Sequence, residues 1–226
     1  MGSRLQNGFT LVEVLVVLAL AGIAAAWALP DLSDWLARQR MKSTAGQMQV
    51  LLRSAKQEAF RLNVPVYVCA SQLKKDMQPD KHCRRRYWGQ AFTAWADMDG
   101  DGKYDGKDAA GSTGIYYTDI ALHSLPLQPS SGSRLQTAWQ IWNEDGQATA
   151  DSVDMLVFYP DGSFRHLNSL ASGTLPRGRY LRIVFSEQGR EAERSASLWL
   201  DTDGSVADCT RSAGQPPCRF VRKESE

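Results

Sequence analysis

Gly8-Phe9-Thr10-Leu11-Val12-Glu13-Val14-Leu15-Val16-Val17-Leu18-Ala19-Leu20-Ala21-Gly22-Ile23-Ala24-Ala25-Ala26-Trp27-Ala28-Leu29 decides how the rest of the chain is read. From Phe9 to Leu29 it holds 21 residues and one charge, Glu13. About 20 apolar residues in a helix match the thickness of a hydrocarbon core, so the stretch predicts a membrane-spanning helix. A carboxylate inside such a span is expensive and points to a function. A secretory signal would have a shorter apolar core and be cut after small residues, here Ala24-Ala25-Ala26. A plain anchor would need neither Gly8 before Phe9 nor Glu13 in the apolar run. The segment in front, Met1 to Asn7, is polar and carries a single Arg.

The order Gly8, Phe9, Thr10, Leu11, Glu13 and an unbroken apolar run resembles the N-terminus of type IV pilins and type II secretion pseudopilins. The resemblance implies that residues 1–8 are a leader, cut after Gly8 by a prepilin peptidase, and that the new terminal Phe9 is N-methylated. It also implies an assembly role for Glu13. Unpaired in lipid, this carboxylate costs a few kcal/mol on insertion scales. Among packed helices it can meet the amine of a neighbour's Phe9, which relieves the penalty and sets the axial register.

The chain has 226 residues and a formal charge of +1. Loss of the leader removes Arg4 and brings the charge to about zero, so no global field argues for an anionic partner. Mean hydropathy is −0.36, and no second run is long and apolar enough to cross a membrane. The residues beyond the first span suit one globular domain. Four cysteines, Cys69, Cys83, Cys209 and Cys218, contain no CxxC pair, which argues against zinc. Their even number in an exported chain favours disulfides. Three pairings exist, of which the local one, Cys69–Cys83 with Cys209–Cys218, closes the shortest loops.

Past Pro30, Met41, Ala45, Met48, Leu52, Ala55, Ala59 and Leu62 step by three and four residues. That is one apolar helical stripe, predicting helix to about residue 62 with the stripe against the globular part. Pilins have a Pro at the position of Pro30, which implies a bend and not a stop. Asp31-Leu32-Ser33-Asp34 could instead cap a new helix. Asn63-Val64-Pro65 ends the helix, and Val66–Cys69 predicts the first strand. Gln72 to Arg86 reads as a basic loop and Tyr87–Ala96 as the second strand. Further strands are expected at Ile115–Leu122, Leu135–Trp142 and Tyr180–Phe185, with a Ser/Pro/Gly-rich loop over 124–133. Hairpins are expected around Pro160-Asp161-Gly162 and Asp203-Gly204.

An Ala-rich helix, a Val-rich strand ending in Cys, and a Trp-Gly strand running into an Asp-rich turn resemble the FimT/FimU/GspH branch of minor pilins, most closely over residues 9–110. The fold this implies is α+β: a long N-terminal helix, membrane half plus amphipathic half, packed on an antiparallel two-sheet β domain. The divisions are 1–8 leader, 9–29 membrane and polymerisation helix, 30–62 amphipathic helix, and 63–226 periplasmic β-rich domain.

Asp97-Met98-Asp99-Gly100-Asp101-Gly102-Lys103-Tyr104-Asp105-Gly106-Lys107-Asp108 resembles a calcium loop. Candidate ligands are Asp97, Asp99, Asp101, Asp105 and Asp108. Asp108 is shorter than the usual Glu, and the loop follows a strand, so a polar hairpin loop is the simpler reading. Calcium is the one cofactor the sequence raises. Lys81, Arg84, Arg85 and Arg86 are candidate phosphate contacts for DNA. Some relatives bind DNA through a Gly-Arg-x-Arg motif, and Gly178-Arg179-Tyr180-Leu181-Arg182 is one residue too long for it. His82, His123 and His166 lie far apart in sequence, and no catalytic constellation is apparent, so no enzyme is expected. The expected role is a minor pilin that primes fibre assembly from the inner membrane and ends at or near the fibre tip. Its partners would be other minor and major pilins, the prepilin peptidase and the assembly platform. The alternatives are a type II secretion pseudopilin and a DNA-binding competence pilin.

Overall fold

The computed structural model describes residues 10–81, 83, 85–104, 119–127, 135–143, 145, 147–167, 172–173, 179–189 and 195–208, with backbone alone at 24–31, 81, 85, 150–152 and 172–173. One helix, α1 (Leu11–Leu62), occupies the first part. Its 52 residues span about 78 Å at 1.5 Å each. Pro30 lies inside it, so no fresh helix starts at Asp31–Asp34. Asn63, at φ 56°, ends it in the left-handed region, and Pro65 follows two residues later; both are helix-stop chemistry. The chain divides into two units, Met1–Arg40 and Met41–Glu226, with the boundary inside this helix.

In the first unit, every large apolar residue from Leu11 to Ile23 is exposed. A helix that is apolar all round suits the interior of a membrane or of a bundle. Among the residues whose side chains are described, no helical stretch is long and apolar enough to cross a membrane. The apolar run continues in sequence through Ala24–Leu29, whose side chains lie outside them.

In the second unit the predicted stripe is the core face. Met41, Ala45, Met48, Leu52, Ala55 and Ala59 are buried, together with Leu51, while Leu62 packs at the margin. Each fully buried Leu or Met here contributes about 1.5–3 kcal/mol. The strands of this unit are β1 (Val66–Ala70), β2 (Gln72–Leu73), β3 (Pro79–Lys81), β4 (Ala91–Ala96), β5 (Ile120–Pro126), β6 (Leu135–Trp142), β7 (Ala148–Ser152), β8 (Met155–Phe158), β9 (Phe164–Leu167), β10 (Ser172–Gly173), β11 (Tyr180–Glu187), β12 (Ser195–Leu200) and β13 (Val206–Asp208). One sheet has the order β10-β9-β8-β1-β4-β5 and a second β13-β12-β11-β6-β7, with β2-β3 a separate hairpin. Every pairing is antiparallel.

Alternation selects the inner faces. Val66, Val68, Phe92, Ala94 and Leu156 from the first sheet, and Trp139, Leu181, Ile183, Phe185 and Leu198 from the second, join the helix stripe in one apolar cluster. Trp139 anchors it, stacked on Phe92 at 5.2 Å and tilted against Trp88 at 5.7 Å.

The expected α+β architecture, a long helix with two antiparallel sheets, is the one observed. Several boundaries differ. The strand expected from Tyr87 starts at Ala91, because Arg85–Tyr87 forms a 3₁₀ turn and Gly89 takes φ 87°. A Cβ on Gly89 would lie 2.5 Å from the Leu135 carbonyl oxygen, so the chain must turn there. The strand expected at Ile115–Leu122 is β5, Ile120–Pro126. It takes Ser124–Pro126 from the expected loop, while 115–118 lie outside the described residues. The basic loop contains the β2–β3 hairpin.

Candidate functional site

Two places carry the chemistry singled out in the sequence. At the N-terminus, Thr10 is the helix cap. Its Oγ1 accepts the Glu13 backbone N–H at 3.3 Å, and its carbonyl accepts the Val14 N–H at 3.3 Å. Thr10-Leu11-Val12-Glu13 thus has the spacing of a capping box, which puts the acid in the first turn, where the helix dipole favours it. Glu13 is exposed among exposed apolar residues. Gly8 and Phe9 lie outside the described residues.

The Asp-rich turn hangs from the end of β4. Asp97 is buried, with Oδ1 accepting the Gly100 N–H at 2.8 Å and Oδ2 the Gly102 N–H at 3.1 Å. Gly100 and Gly102, at φ 81° and 72°, let the backbone curl around that carboxylate. Asp99 Oδ1 accepts the Asp101 N–H at 3.1 Å, and Asp101 Oδ1 accepts the Lys103 N–H at 2.7 Å. From the other end of the loop, Asp119 Oδ1 accepts the Met98 N–H at 2.9 Å.

Burial pushes the Asp97 carboxyl up, against the two backbone N–H donors that pull it down, and neighbouring Asp99 adds to the rise. Burial, then the charges of Asp97 and other nearby groups, pushes Tyr67 up to about 12. Tyr67 stacks on Trp95 at 4.6 Å, and Tyr104 meets Trp95 edge-on at 5.6 Å.

Of the five expected calcium ligands, the structure brings Asp97 and Asp99 together, joined by Asp119. One oxygen from each of the three lies within 4.8 Å of the others. Carboxylate oxygens are what calcium takes. Asp101 is instead ion-paired with Lys103 at 3.7 Å, and Asp105 and Asp108 lie outside the described residues. Asp119 had no signal in the sequence: it stands 22 residues from Asp97 and is brought back by the pairing of β5 with β4.

Cys69 and Cys83 form a disulfide with Cα atoms 5.3 Å apart, which closes the base of the β2–β3 hairpin as the local pairing expects. Cys209 and Cys218 lie outside the described residues. Of the expected DNA contacts, Arg84 lies outside the described residues and Lys81 and Arg85 are described by backbone alone. Arg86 is engaged within the chain, with its guanidinium 4.7 Å from the Tyr87 ring centroid and bonded to the Tyr87 hydroxyl. Arg182 lies over Trp142 and Trp199 at 4.8 and 5.3 Å, on the face of the second sheet away from the core. His123 and His166 sit on β5 and β9, well separated in the first sheet.

Comparison with known proteins agrees with both ends of this picture. Residues 3–29 match the prokaryotic N-terminal methylation motif, and residues 44–204 match the type II transport protein GspH family. A fimbrial protein of Pseudomonas aeruginosa is 30% identical over 100 residues, 44% of this chain and 57% of that protein's own length. Among solved structures, the type IV minor pilin FimU of P. aeruginosa is similar with a TM-score of 0.41 and 14% identity, over 76% of this chain and 89% of the other. The minor pseudopilin EpsH from the type 2 secretion system of Vibrio cholerae is similar with a TM-score of 0.40 and 10% identity, over 75% and 95%. The GspH match spans more than two thirds of the sequence and takes in most of the helix stripe, the first sheet, most of the second and the acidic turn; the chain belongs to the GspH family.

Proposed function

We propose that this subunit is held in the inner membrane by its N-terminal helix, with residues 63–226 in the periplasm, and that it joins other minor and major pilins in a complex that primes a type IV pilus. The observation that carries this is the first half of α1. Its large apolar residues from Leu11 to Ile23 are exposed on every side, and a single carboxylate interrupts them. Such a surface needs lipid first and sibling helices afterwards. The prepilin peptidase cuts after Gly8, Phe9 is methylated, and the assembly platform draws the helix into the fibre. Glu13 then meets a neighbour's Phe9 amine, and the subunit sits at or near the tip.

The test is a count of surface pili by electron microscopy in a deletion strain and in a deletion strain that cannot retract its pili. Fibres lost in the first and restored in the second are expected. Normal numbers in both would sink the priming role. The match to a type II transport family favours a second reading, a secretion pseudopilin. On that reading the deletion leaves pili intact and traps exported enzymes in the periplasm.

A further inference from the structure

The apolar surface of the first unit does not stop where the run Phe9–Leu29 stops. Beyond Pro30, Leu32, Trp35 and Leu36 are 50%, 55% and 40% exposed. They stand at i, i+3 and i+4, so they share one helix face. Two exposed arginines border that face. At 3.6 residues per turn Arg38 lies about 60° beyond Trp35 on one side, and Arg40 about 40° beyond Leu36 on the other. The nearest described acid, Asp34, lies outside the face, on the far side of Arg38. Among the described residues no ion pair engages Arg38.

The order along the axis follows the layers of a bilayer. With Leu29 at the edge of the hydrocarbon core, Trp35 lies about 9 Å and Arg38 about 14 Å further on. The headgroup layer is about 5–8 Å deep on each side. Helical side chains lean toward the N-terminus, which here is toward the membrane. The lean returns the Trp35 ring to the interfacial level, where Trp is enriched, and the longer arginine stems to the phosphates. With the C-terminal part in the periplasm, these arginines stand on the side that the positive-inside rule leaves poor in basic residues. Orientation therefore does not account for them, whereas an anionic headgroup does.

We propose that Leu32, Trp35, Leu36, Arg38 and Arg40 form an interfacial collar that binds anionic phospholipid of the periplasmic leaflet and fixes the depth of the helix. Trp35 and the two leucines supply apolar contact, and the arginines select the lipid by charge. The proposal deepens the reading of this subunit as membrane-held and rests on it.

The experiment puts the full chain into nanodiscs of phosphatidylcholine with a minor share of phosphatidylglycerol. Photoreactive p-benzoylphenylalanine replaces Gln39, exposed on the same face, or Val16, exposed within the apolar run. Mass spectrometry after irradiation reads which lipid is attached. The probe at position 39 is expected to carry phosphatidylglycerol well above its share, and the probe at 16 both lipids in proportion. A basic residue near an anionic surface changes binding about fivefold, so Arg38→Gln should cut the excess by about that factor, Arg38→Lys should keep it, and high salt should erode it. Arg38→Gln breaks no ion pair among the described residues, so the loss reads the lipid contact and not the fold. Adducts at 39 in proportion to the lipids supplied, an excess that Arg38→Gln leaves unchanged, or attachment to a second protein chain in place of lipid would overturn the proposal. Lipid at 16 but none at 39 fails the collar and leaves the membrane anchor standing. Phosphatidylglycerol at 39 with no lipid at 16 does the reverse, since the chain then binds headgroups without being inserted.

Discussion

Gly89, Gly162 and Gly204 share a positive φ but not their surroundings. A Cβ on Gly162 would meet nothing within 4 Å, one on Gly204 would press on the Phe158 and Phe164 rings at 3.2 and 3.3 Å, and one on Gly89 would meet the Leu135 carbonyl oxygen at 2.5 Å. The left-handed backbone alone costs an L-residue about 1–2 kcal/mol. A ring can shift by tenths of an ångström, whereas a backbone carbonyl in β6 cannot. Urea midpoints should therefore fall in the order Gly162→Ala, Gly204→Ala, Gly89→Ala, from about 1–2 kcal/mol for the first to about 3–5 for the last, once overpacking is added to the backbone term. Equal losses at all three would mean that contact adds nothing to conformation.

At the same scale, Asp97 sets a pH dependence. Its carboxyl is raised above the ordinary 3.8, first by burial. A folded state that holds the proton more tightly than the unfolded one loses stability as pH rises through the raised value. Asp161 works the other way. Bonds from Ser163 lower its carboxyl, so its contribution is present above 3.8 and is lost on acidification below that. Unfolding free energy measured upward from pH 4 should decline, and Asp97→Asn should flatten that decline. A slope unchanged in Asp97→Asn would count against Asp97 as its source.

Among elements, the helix holds the C-terminal edge of the second sheet through side chains. Gln49 Nε2 and Arg53 Nη2 both donate to the Val206 carbonyl, at 3.1 and 3.2 Å, and Lys56 to that of Asp203. Among the described residues β13 is an edge strand, paired with β12 on one side, and these donors reach its carbonyl from the helix. Gln49→Ala with Arg53→Ala should leave that carbonyl without its helix donors. The expected loss is about 1 kcal/mol per bond, with faster hydrogen exchange at Val206–Asp208 and little change in the central strand β1. Exchange rising equally in both would mean that the bonds report global stability alone. The stripe from Met41 to Ala59 could be read from spacing because a buried helix face repeats at 3.6, and β11 because Leu181, Ile183 and Phe185 alternate. β7, Ala-Thr-Ala-Asp-Ser, and the two-residue β2 and β10 lack such a signal, since pairing and not apolar alternation makes them strands. The true start of β4 depends on the clash between Gly89 and Leu135, 46 residues away, which no local pattern reveals.

At the scale of the molecule, the N-terminal signature was legible because it is a linear motif whose residues stand side by side in the sequence. The acidic site was legible only in part, because Asp119 reaches it through sheet pairing. The Cys69–Cys83 bridge belongs to this larger scale too. It ties the end of central strand β1 to the far side of the β2–β3 hairpin, over a separation of 14 residues. Closing a loop of that size restricts the unfolded chain by about 3 kcal/mol in the chain-entropy account. The bond forms readily only in an oxidising compartment, which is where a periplasmic domain would fold. Cys69→Ala with Cys83→Ala should therefore lower the unfolding free energy by about 3 kcal/mol. The folded ring contacts should persist, because Tyr67 stacks on Trp95 and Tyr104 meets it edge-on without the bridge. Near-ultraviolet circular dichroism would then keep its aromatic bands at low temperature while the melting curve moves down. A melting curve that did not move would mean that the unfolded chain is already as compact around the hairpin without the bond as with it. Lost aromatic bands in a chain still helical would mean that the bridge positions the outer face of the first sheet instead of stapling the chain.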